Sequence, residues 1–238
     1  MAITSPHNEK LKAIRKLQQR RRWRERSGRF VAEGEDLLAA ADVAGWEPVE
    51  RYCATGSGLP GVEVEPSLLA SASGLASGTR ALAVYEERWA PAATGPLCVY
   101  LHGVQDPGNV GAVLRSAEAF GASCVAFGPG TADPFGPKAV RASMGAVFGV
   151  PLARTQDLTG LPGRTIALVA DAGMPLAQLQ PSDPGDITLL IGAERDGLPD
   201  EVVAAADVIA HIPIRTHSLN AAMAAAVALY EVSRMARE

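Results

Sequence analysis

Cysteine and long apolar runs are both scarce in this sequence. Its 238 residues include three cysteines, Cys53, Cys98 and Cys124, and no Cys-x-x-Cys pair. A scattered, odd set argues against a disulfide framework and a zinc site, and fits a reducing compartment. No apolar stretch approaches the roughly 18 residues of a membrane span, and the start MAITSPHNEKLKAIRK lacks the apolar core of a secretory signal. The sequence therefore predicts a cytoplasmic protein with no membrane segment and no metal.

Glycine-rich nucleotide-binding fingerprints are also missing. The stretch GSGLPG (56–61) has the spacing of a dinucleotide fingerprint, but Pro60 and the following VEVEP do not open a helix. In GPGTAD (128–133), Asp133 stands where the third glycine should be. Both stretches are interpreted as turns, and no Walker A sequence occurs. Any nucleotide cofactor must be held in another way.

Positive charge is unevenly distributed. The net charge is −4, yet residues 1–30 hold ten of the 22 Lys and Arg residues and two acidic residues, a local charge of +8. The remainder is −12. A polyanion responds to the local patch because salt screens distant charges. The run also contains Trp23 and Phe30, which could stack on bases or anchor the segment to a core.

The amino-terminal part reads as a small α/β domain. Leu11, Ile14 and Leu17 lie at helical spacing in a predicted amphipathic helix over 10–26. A short strand, a turn at Gly34 and a helix follow over 29–45, and the best further strand candidates are 48–54 and 81–87. We predict a domain over 1–88, a linker over 89–96 and a second domain over 97–238.

Strands and helices alternate regularly in the second domain. Apolar strand candidates are 97–101, 123–127, 165–170, 187–191 and 208–212, with helical patterns at 109–120, 137–147, 199–206 and 218–236. Near-continuous apolar strands with interleaved helices predict a parallel sheet covered on both faces.

Polar clusters follow three of the predicted strands, where open α/β sheets bind ligands. In the first, Asp106-Pro107-Gly108-Asn109 is a turn into a helix, with Asn109 as its expected cap, and Gly111 and Arg115 lie four apart on one face. An arginine there can grip a phosphate through two hydrogen bonds. The second cluster places Glu194 directly after a buried strand. In the third, Ser218 and Asn220 open an alanine-rich helix.

Together these clusters resemble the SpoU (TrmH) family of RNA 2′-O-ribose methyltransferases, in the SPOUT superfamily. The pattern runs Asn109-Val-Gly111-Ala-Val-Leu-Arg115, then Gly192-Ala-Glu194-Arg-Asp-Gly197-Leu198, then Ile212-Pro213 and Ser218-Leu219-Asn220. The segment KAVRASMGAVFGVPL (138–152) and the amino-terminal run, which is similar to a SpoU-type substrate-binding domain, add to the resemblance. It implies a parallel-sheet SPOUT domain with a deep trefoil knot, preceded by a small ribosomal-protein-like RNA-binding domain.

The resemblance implies a function as well as a fold: methyl transfer from S-adenosylmethionine to a ribose hydroxyl of RNA, most often ribosomal RNA, by a homodimer. The implied catalytic residues are Arg115, Asn109, Glu194, Ser218 and Asn220. The implied cofactor-binding residues are Gly192, Ile212 and Leu219, with Leu101, His102 and Ala170 nearby. The RNA-binding candidates are Arg20, Arg21, Arg22, Arg24 and Arg29.

One departure from the family pattern bears on activity. Only four residues, Ile-Arg-Thr-His, separate Pro213 from Ser218, where the family usually has six. A shorter loop could bring Arg215 and His217 closer to the cofactor. The alternatives are a transfer-RNA methyltransferase, a catalytically silent RNA-binding member of the same fold, and, more distantly, a metabolic α/β enzyme. Salt-sensitive RNA binding and cofactor binding discriminate among them.

Overall fold

A computed structural model describes residues 2–75, 78–179 and 186–235 of the chain. The chain forms two compact units. The first contains Met1–Arg88 together with Asp133–Gly149, and the second contains Trp89–Ala132 and Val150–Glu238. Among the described residues, no helix combines the length and the apolar character needed to cross a bilayer.

The first unit is built on a four-stranded mixed sheet. Its strands are β1 (Arg29–Glu33), β2 (Glu50–Ala54), β3 (Val62–Val64) and β4 (Ala81–Glu86), in the order β1-β4-β2-β3. The β1–β4 and β4–β2 pairs are antiparallel, and β2–β3 is parallel. The helices are α1 (Glu9–Gln19), α2 (Arg21–Ser27), α3 (Glu35–Val43) and α4 (Pro66–Ala72).

The amphipathic helix expected over 10–26 is two helices. Leu11, Ile14 and Leu17 of α1 are buried in the core, as their spacing predicts. The chain breaks at Arg20, which has extended backbone angles (φ −128°, ψ 107°) and separates α1 from α2. Helix α2 then ends at Gly28, whose φ of 61° lies in the left-handed region that glycine adopts without strain.

Residues Asp133–Gly149 pack within the first unit, although the sequence assigned them to the second domain. They form α6 (Pro137–Ser143) and α7 (Ala146–Gly149), which together replace the single helix expected over 137–147. The break falls at Met144, which has a φ of 52°, and at Gly145, where a Cβ would lie 2.6 Å from that of Ala40. Phe135 and Phe148 join an aromatic cluster centred on Phe30.

The second unit contains a seven-stranded sheet in which every pair is parallel. Its strands are β5 (Leu97–Leu101), β6 (Cys124–Phe127), β7 (Leu152–Arg154), β8 (Arg164–Leu168), β9 (Met174–Pro175), β10 (Ile187–Ile191) and β11 (Val208–His211). The strand order is β7-β6-β5-β10-β8-β11-β9. The predicted parallel α/β sheet is confirmed, and the trefoil knot stays a prediction.

Helices α5 (Pro107–Ala119), α8 (Asp200–Ala205) and α9 (Ala221–Met235) complete the second unit, and α5 packs against α9. The predicted cap of α5 was wrong. Asp106 is the cap, because its carboxylate accepts a hydrogen bond from the backbone N–H of Gly108 at 2.6 Å, with Pro107 in the first turn. Asn109 lies inside the helix, which leaves its side chain available for other contacts.

Candidate active site

The second and third clusters line one pocket of about 400 Å³ at the carboxyl edge of the parallel sheet. Its walls come from residues 168–170 after β8, from 191–200 after β10, and from 212–224, which run from the end of β11 into α9. The volume is that of a small-molecule or cofactor site. Parallel strands place their carboxyl ends at one edge, so segments far apart in sequence converge there.

A tight turn after β10 shapes one wall of this pocket. The backbone N–H of Ala193 donates to the carbonyl of Gly197 at 3.0 Å, and that of Gly197 donates back at 3.1 Å. Gly197 has a φ of 70°. A Cβ on Gly192 would lie 2.2 Å from the carbonyl carbon of Gly197, so only glycine lets the turn fold back this closely. The turn presents Glu194, Arg195 and Asp196 at its tip.

Three of the predicted catalytic side chains form one hydrogen-bonded chain. The Nδ2 atom of Asn220 donates to Oδ1 of Asn109 at 3.0 Å, and Nδ2 of Asn109 donates to Oε1 of Glu194 at 2.6 Å. Oδ1 of Asn220 also accepts from the backbone N–H groups of Ala222 and Met223, which caps α9. The start of α5, the turn after β10 and the start of α9 are therefore joined at one place.

The other two predicted catalytic residues are placed differently. Ser218 lines the pocket. Arg115 lies on the exposed surface of α5, six residues after Asn109, or about 9 Å along the helix axis. It does not line the pocket. Within the described part of the chain its guanidinium has no hydrogen bond or ion pair, which leaves it available to an anionic ligand.

Four of the six predicted cofactor residues, Gly192, Ile212, Leu219 and Ala170, line the pocket. The other two do not. Leu101 is fully buried in β5, where its carbonyl accepts from the Thr131 hydroxyl at 2.8 Å. Nδ1 of His102 is hydrogen-bonded to the Tyr100 hydroxyl at 2.8 Å.

The Tyr100 phenol beneath this edge is buried, and burial raises its pKa. It therefore stays protonated and can donate to His102. Its ring fills the space where Gly128 has no side chain, since a Cβ there would lie 2.3 Å from the hydroxyl oxygen. The glycine of the sequence GPGTAD thus serves packing, in a turn as interpreted from the sequence.

Sequence reasoning missed several pocket residues, among them Arg195, Asp196, Asp200 and Ile214. Each lies within a motif or within two residues of one, and that closeness was the available signal. The carboxylates of Glu194, Asp196 and Asp200 outnumber the one cation, Arg195, among the pocket-lining residues. The pocket is therefore suited to a ligand that carries positive charge.

The basic amino-terminal segment, in the first unit, is mostly solvent-facing. Arg20, Arg21, Arg22 and Arg29 are exposed. Arg21 pairs with Glu25 at 2.8 Å, and Arg29 lies 3.7 Å from Glu86. These surface pairs are screened and weak, so the arginines stay accessible to a polyanion.

Arg24 corrects the predicted RNA-binding set. It is 5% exposed, forms an ion pair with Asp133 at 2.8 Å and donates to the carbonyl of Leu17 at 2.7 Å. Its guanidinium is therefore paired inside the first unit and is not accessible to RNA. Trp23 and Phe30 likewise anchor the segment: Phe30 is fully buried, and Trp23 packs on the core beneath the ammonium group of Lys16.

The described residues contain no group of three or more His, Cys, Asp or Glu side chains that could hold a metal ion. The three cysteines are free and buried. Cys98 and Cys124 lie opposite each other on β5 and β6 and share a hydrogen bond, which raises the pKa of Cys98 and lowers that of Cys124.

A parallel α/β sheet with a pocket across the carboxyl ends of its strands defines a small-ligand-binding enzyme fold, here joined to a separate basic unit. Comparison with known proteins identifies the family. The chain belongs to the SpoU rRNA methylase family, whose model matches residues 96–230. The model of an MRM3-like substrate-binding domain matches residues 8–89.

Two curated relatives and one solved structure illustrate the similarity. A Syntrophobacter fumaroxidans protein named ribosomal RNA small subunit methyltransferase G 2 is 34% identical over 98% of this chain and 49% of its own length. The Bacillus subtilis 23S rRNA guanosine 2′-O-methyltransferase RlmP is 30% identical over 59% of each protein. The chain thus spans about half the length of the curated relatives it matches.

The solved structure is an AdoMet-bound rRNA methyltransferase from Sinorhizobium meliloti. It is 29% identical to this chain, with a TM-score of 0.88 over 98% of this chain and 97% of that one. The likeness extends over both the amino-terminal and the carboxyl-terminal parts of the sequence.

Proposed function

We propose that this protein transfers a methyl group from S-adenosylmethionine to the 2′-hydroxyl of a nucleotide in RNA, with ribosomal RNA as the substrate. The observation that carries the proposal is the pocket lined by the second and third motif segments, to which the first is joined through the Asn220–Asn109–Glu194 hydrogen bonds. Family membership supports it, as do the named activity of RlmP and the ligand of the S. meliloti structure.

The pocket fits this cofactor on its own features. Gly192 lets the backbone of Gly197 fold directly against it, and backbone from three segments surrounds the cavity. We assign Gly192, Ile212, Leu219 and Ala170 to cofactor binding; Leu101 and His102 lie behind this wall. When bound, S-adenosylmethionine supplies an electrophilic methyl group on a positively charged sulfur, which suits a pocket whose carboxylates exceed its cations.

The protein's own residues must position and activate a ribose hydroxyl, a poor nucleophile at neutral pH. Arg115 is free to bind an RNA phosphate and, by its positive charge, favours the alkoxide that forms as the hydroxyl reacts. Asn109 and Asn220 hold the Glu194 carboxylate in place, and Ser218 lies in the same pocket. We propose positioning and electrostatic stabilisation as the main contributions of these five residues.

RNA capture belongs to the first unit in this proposal. Arg20, Arg21, Arg22 and Arg29 are exposed there, and the matching substrate-binding model covers them. We keep the proposed division of the sequence into 1–88, a linker at 89–96 and 97–238, with Asp133–Gly149 packing onto the first part. A cytoplasmic location follows from the ribosomal substrate.

We also propose that the protein is a homodimer, joined through α9. Met223, Val227 and Tyr230 are 63%, 39% and 52% exposed and lie at i, i+4 and i+7, which aligns them in one apolar stripe. The stripe begins within three residues of Asn220. A second copy packed there would bring its own surface beside the pocket.

The decisive experiment is methyl transfer from labelled S-adenosylmethionine to deproteinised ribosomal RNA, with transfer RNA in parallel. We predict transfer to ribosomal RNA, with the label in ribose. Arg115→Ala should lower the rate at least a hundredfold with unchanged cofactor affinity, because a lost electrostatic contact to the reacting group costs about that much. The matched control is Arg164→Ala, an exposed arginine at the amino end of β8, which should be as active as wild type.

If only transfer RNA is methylated, the substrate is transfer RNA and not ribosomal RNA. If the protein binds no S-adenosylmethionine, it is not a methyltransferase, and the alternative of a catalytically silent RNA-binding protein remains.

RNA capture by the first unit has a separate test. Reversing the charge at Arg20, Arg21 and Arg22 to Glu should weaken RNA binding and flatten its salt dependence, since phosphate contacts release counterions. The matched control is the same reversal at Arg51, Arg80 and Arg164, of which the first two already pair with Asp42 and Glu35. Equal affinity and equal salt slopes in the first variant and wild type would show that RNA does not touch α2.

A further inference from the structure

Two arginines on the loops beside the pocket, Arg195 and Arg215, stand at positions that none of the three motif patterns specifies. Arg195 lines the pocket at the tip of the turn after β10. Arg215 lies in the loop after β11, between Ile214 and Ser218, which both line the pocket. Both arginines are exposed. Within the residues that the structure describes, neither has a hydrogen bond or an ion pair.

The turn fixes where Arg195 lies. Two backbone hydrogen bonds between Ala193 and Gly197 close the turn, and Gly192 packs directly beneath it. The adjacent carboxylate of Glu194 is hydrogen-bonded to Asn109. Asp196 and Asp200 also line the pocket, but neither pairs with the guanidinium. Arg195 is therefore exposed at the pocket and has no ion pair among the described residues.

The shortened loop limits where Arg215 can be. It follows Ile214 directly and precedes Ser218 by three residues, so its Cα lies within about 11 Å of that of Ser218 even in a fully extended chain. Both neighbours belong to the pocket wall. The two loops that border the mouth thus each carry an accessible arginine.

We propose that Arg195 and Arg215 bind backbone phosphates of the RNA beside the nucleotide that enters the pocket, an inference that rests on the proposed function. A guanidinium matches a phosphate with two parallel hydrogen bonds and stays charged at every physiological pH. The target nucleotide brings a phosphate on either side of its ribose. Arg195 and Arg215 hold the ribose of the target nucleotide over the pocket. The arginines of α2 bind RNA but do not position the hydroxyl that is methylated.

The test compares Arg195→Ala, Arg215→Ala and the double variant in the full-length protein. Binding of a short fluorescein-labelled single-stranded RNA is followed by anisotropy across a salt series, and S-adenosylmethionine affinity is measured by calorimetry. Each single variant should bind RNA about tenfold more weakly, and the slope of log affinity against log salt should fall by about 0.7 for each lost phosphate. The affinity for the cofactor should not change.

Two controls test whether the effect depends on the charge of these side chains and on their position beside the pocket. Arg195→Lys and Arg215→Lys keep the point charge and should keep the salt slope while losing part of the affinity, since lysine lacks the fork. Arg164→Ala removes an arginine from the amino end of β8, at the opposite edge of the sheet, and should leave both measurements unchanged.

An unchanged salt slope in both alanine variants would overturn the proposal. Weaker cofactor binding with an unchanged slope would overturn it too, because the arginines would then hold the carboxylate of the cofactor. These readouts do not need turnover. Failure of the proposed function would show instead as wild-type protein that neither binds S-adenosylmethionine nor methylates RNA.

Discussion

At the scale of single residues, Gly192 decides whether the turn after β10 can close. A Cβ there would meet the backbone of Gly197 and Leu198 at 2.2–2.3 Å, and backbone cannot move aside cheaply. We predict that Gly192→Ala opens the turn and weakens S-adenosylmethionine binding at least tenfold by calorimetry, with a loss of about 1–3 kcal/mol in stability, the usual cost of overpacking.

Gly160→Ala is the matched control for this variant. Gly160 lies in the same unit, and its nearest neighbour would be 3.7 Å from a new Cβ, an ordinary contact. Cofactor affinity should be that of wild type. A Gly192→Ala protein with normal cofactor affinity would mean that the turn does not shape the cofactor site.

Single residues also show where reading the sequence succeeds and where it stops. The motif pattern identified Asn109, Glu194 and Asn220, which the structure joins in one hydrogen-bonded chain. The sequence does not predict whether a given side chain in such a run faces the solvent or the core. Arg24 stands among exposed arginines, and only the fold reveals that it faces Asp133, 109 residues away along the chain.

At the scale of elements, Asn220 both caps α9 and hydrogen-bonds Asn109, and one substitution can separate these two roles. Its Oδ1 caps α9, and its Nδ2 donates to Asn109. Asn220→Asp keeps the accepting oxygen and should cap as well, but it cannot donate. We predict that this variant keeps its melting temperature and loses most methyl transfer, whereas Asn220→Ala also loses about 1 kcal/mol of stability with the cap.

Melting curves and transfer rates on the same preparations check this pair of variants. Asn8 caps α1 in the first unit through its own Oδ1, so Asn8→Asp is the matched control and should leave both quantities unchanged. Full activity in Asn220→Asp would show that the bond to Asn109 has no part in the reaction.

Long elements were predictable and short or broken ones were not. The apolar strands β5, β8 and β10 and the helices α5 and α9 carry clear periodicity or continuous apolar runs. Strands β3, β7 and β9 have three, three and two residues, too few to show an alternation. The helix break at Arg20 has no glycine or proline at or next to it, and the break at Met144 is marked only by the following Gly145.

At the scale of the whole molecule, sequence order and packing diverge at Asp133–Gly149. This segment lies inside the stretch matched by the methylase model, yet it packs in the first unit. The indole N–H of Trp46 donates to the carbonyl of Phe148 at 2.9 Å, and Arg141 lies 3.6 Å from buried Glu33. The core of the first unit is therefore completed by residues from the later part of the chain.

The Arg24–Asp133 pair is the contact that tests this dependence most directly. Both side chains are nearly inaccessible, at 7% and 14% exposure, so losing one charge leaves the other buried and uncompensated. Asp133→Asn keeps the size of the side chain and an oxygen for the N–H of Phe135. We predict a loss of about 3–5 kcal/mol in the free energy of unfolding, measured by urea titration with tryptophan fluorescence.

Glu25→Ala, which breaks the exposed pair with Arg21 on the same helix, should cost about 0.5 kcal/mol or less. If the two variants unfold at the same urea concentration, Asp133–Gly149 is not held to α2 by this ion pair, and the aromatic contacts of Phe135 and Phe148 must hold the segment without it.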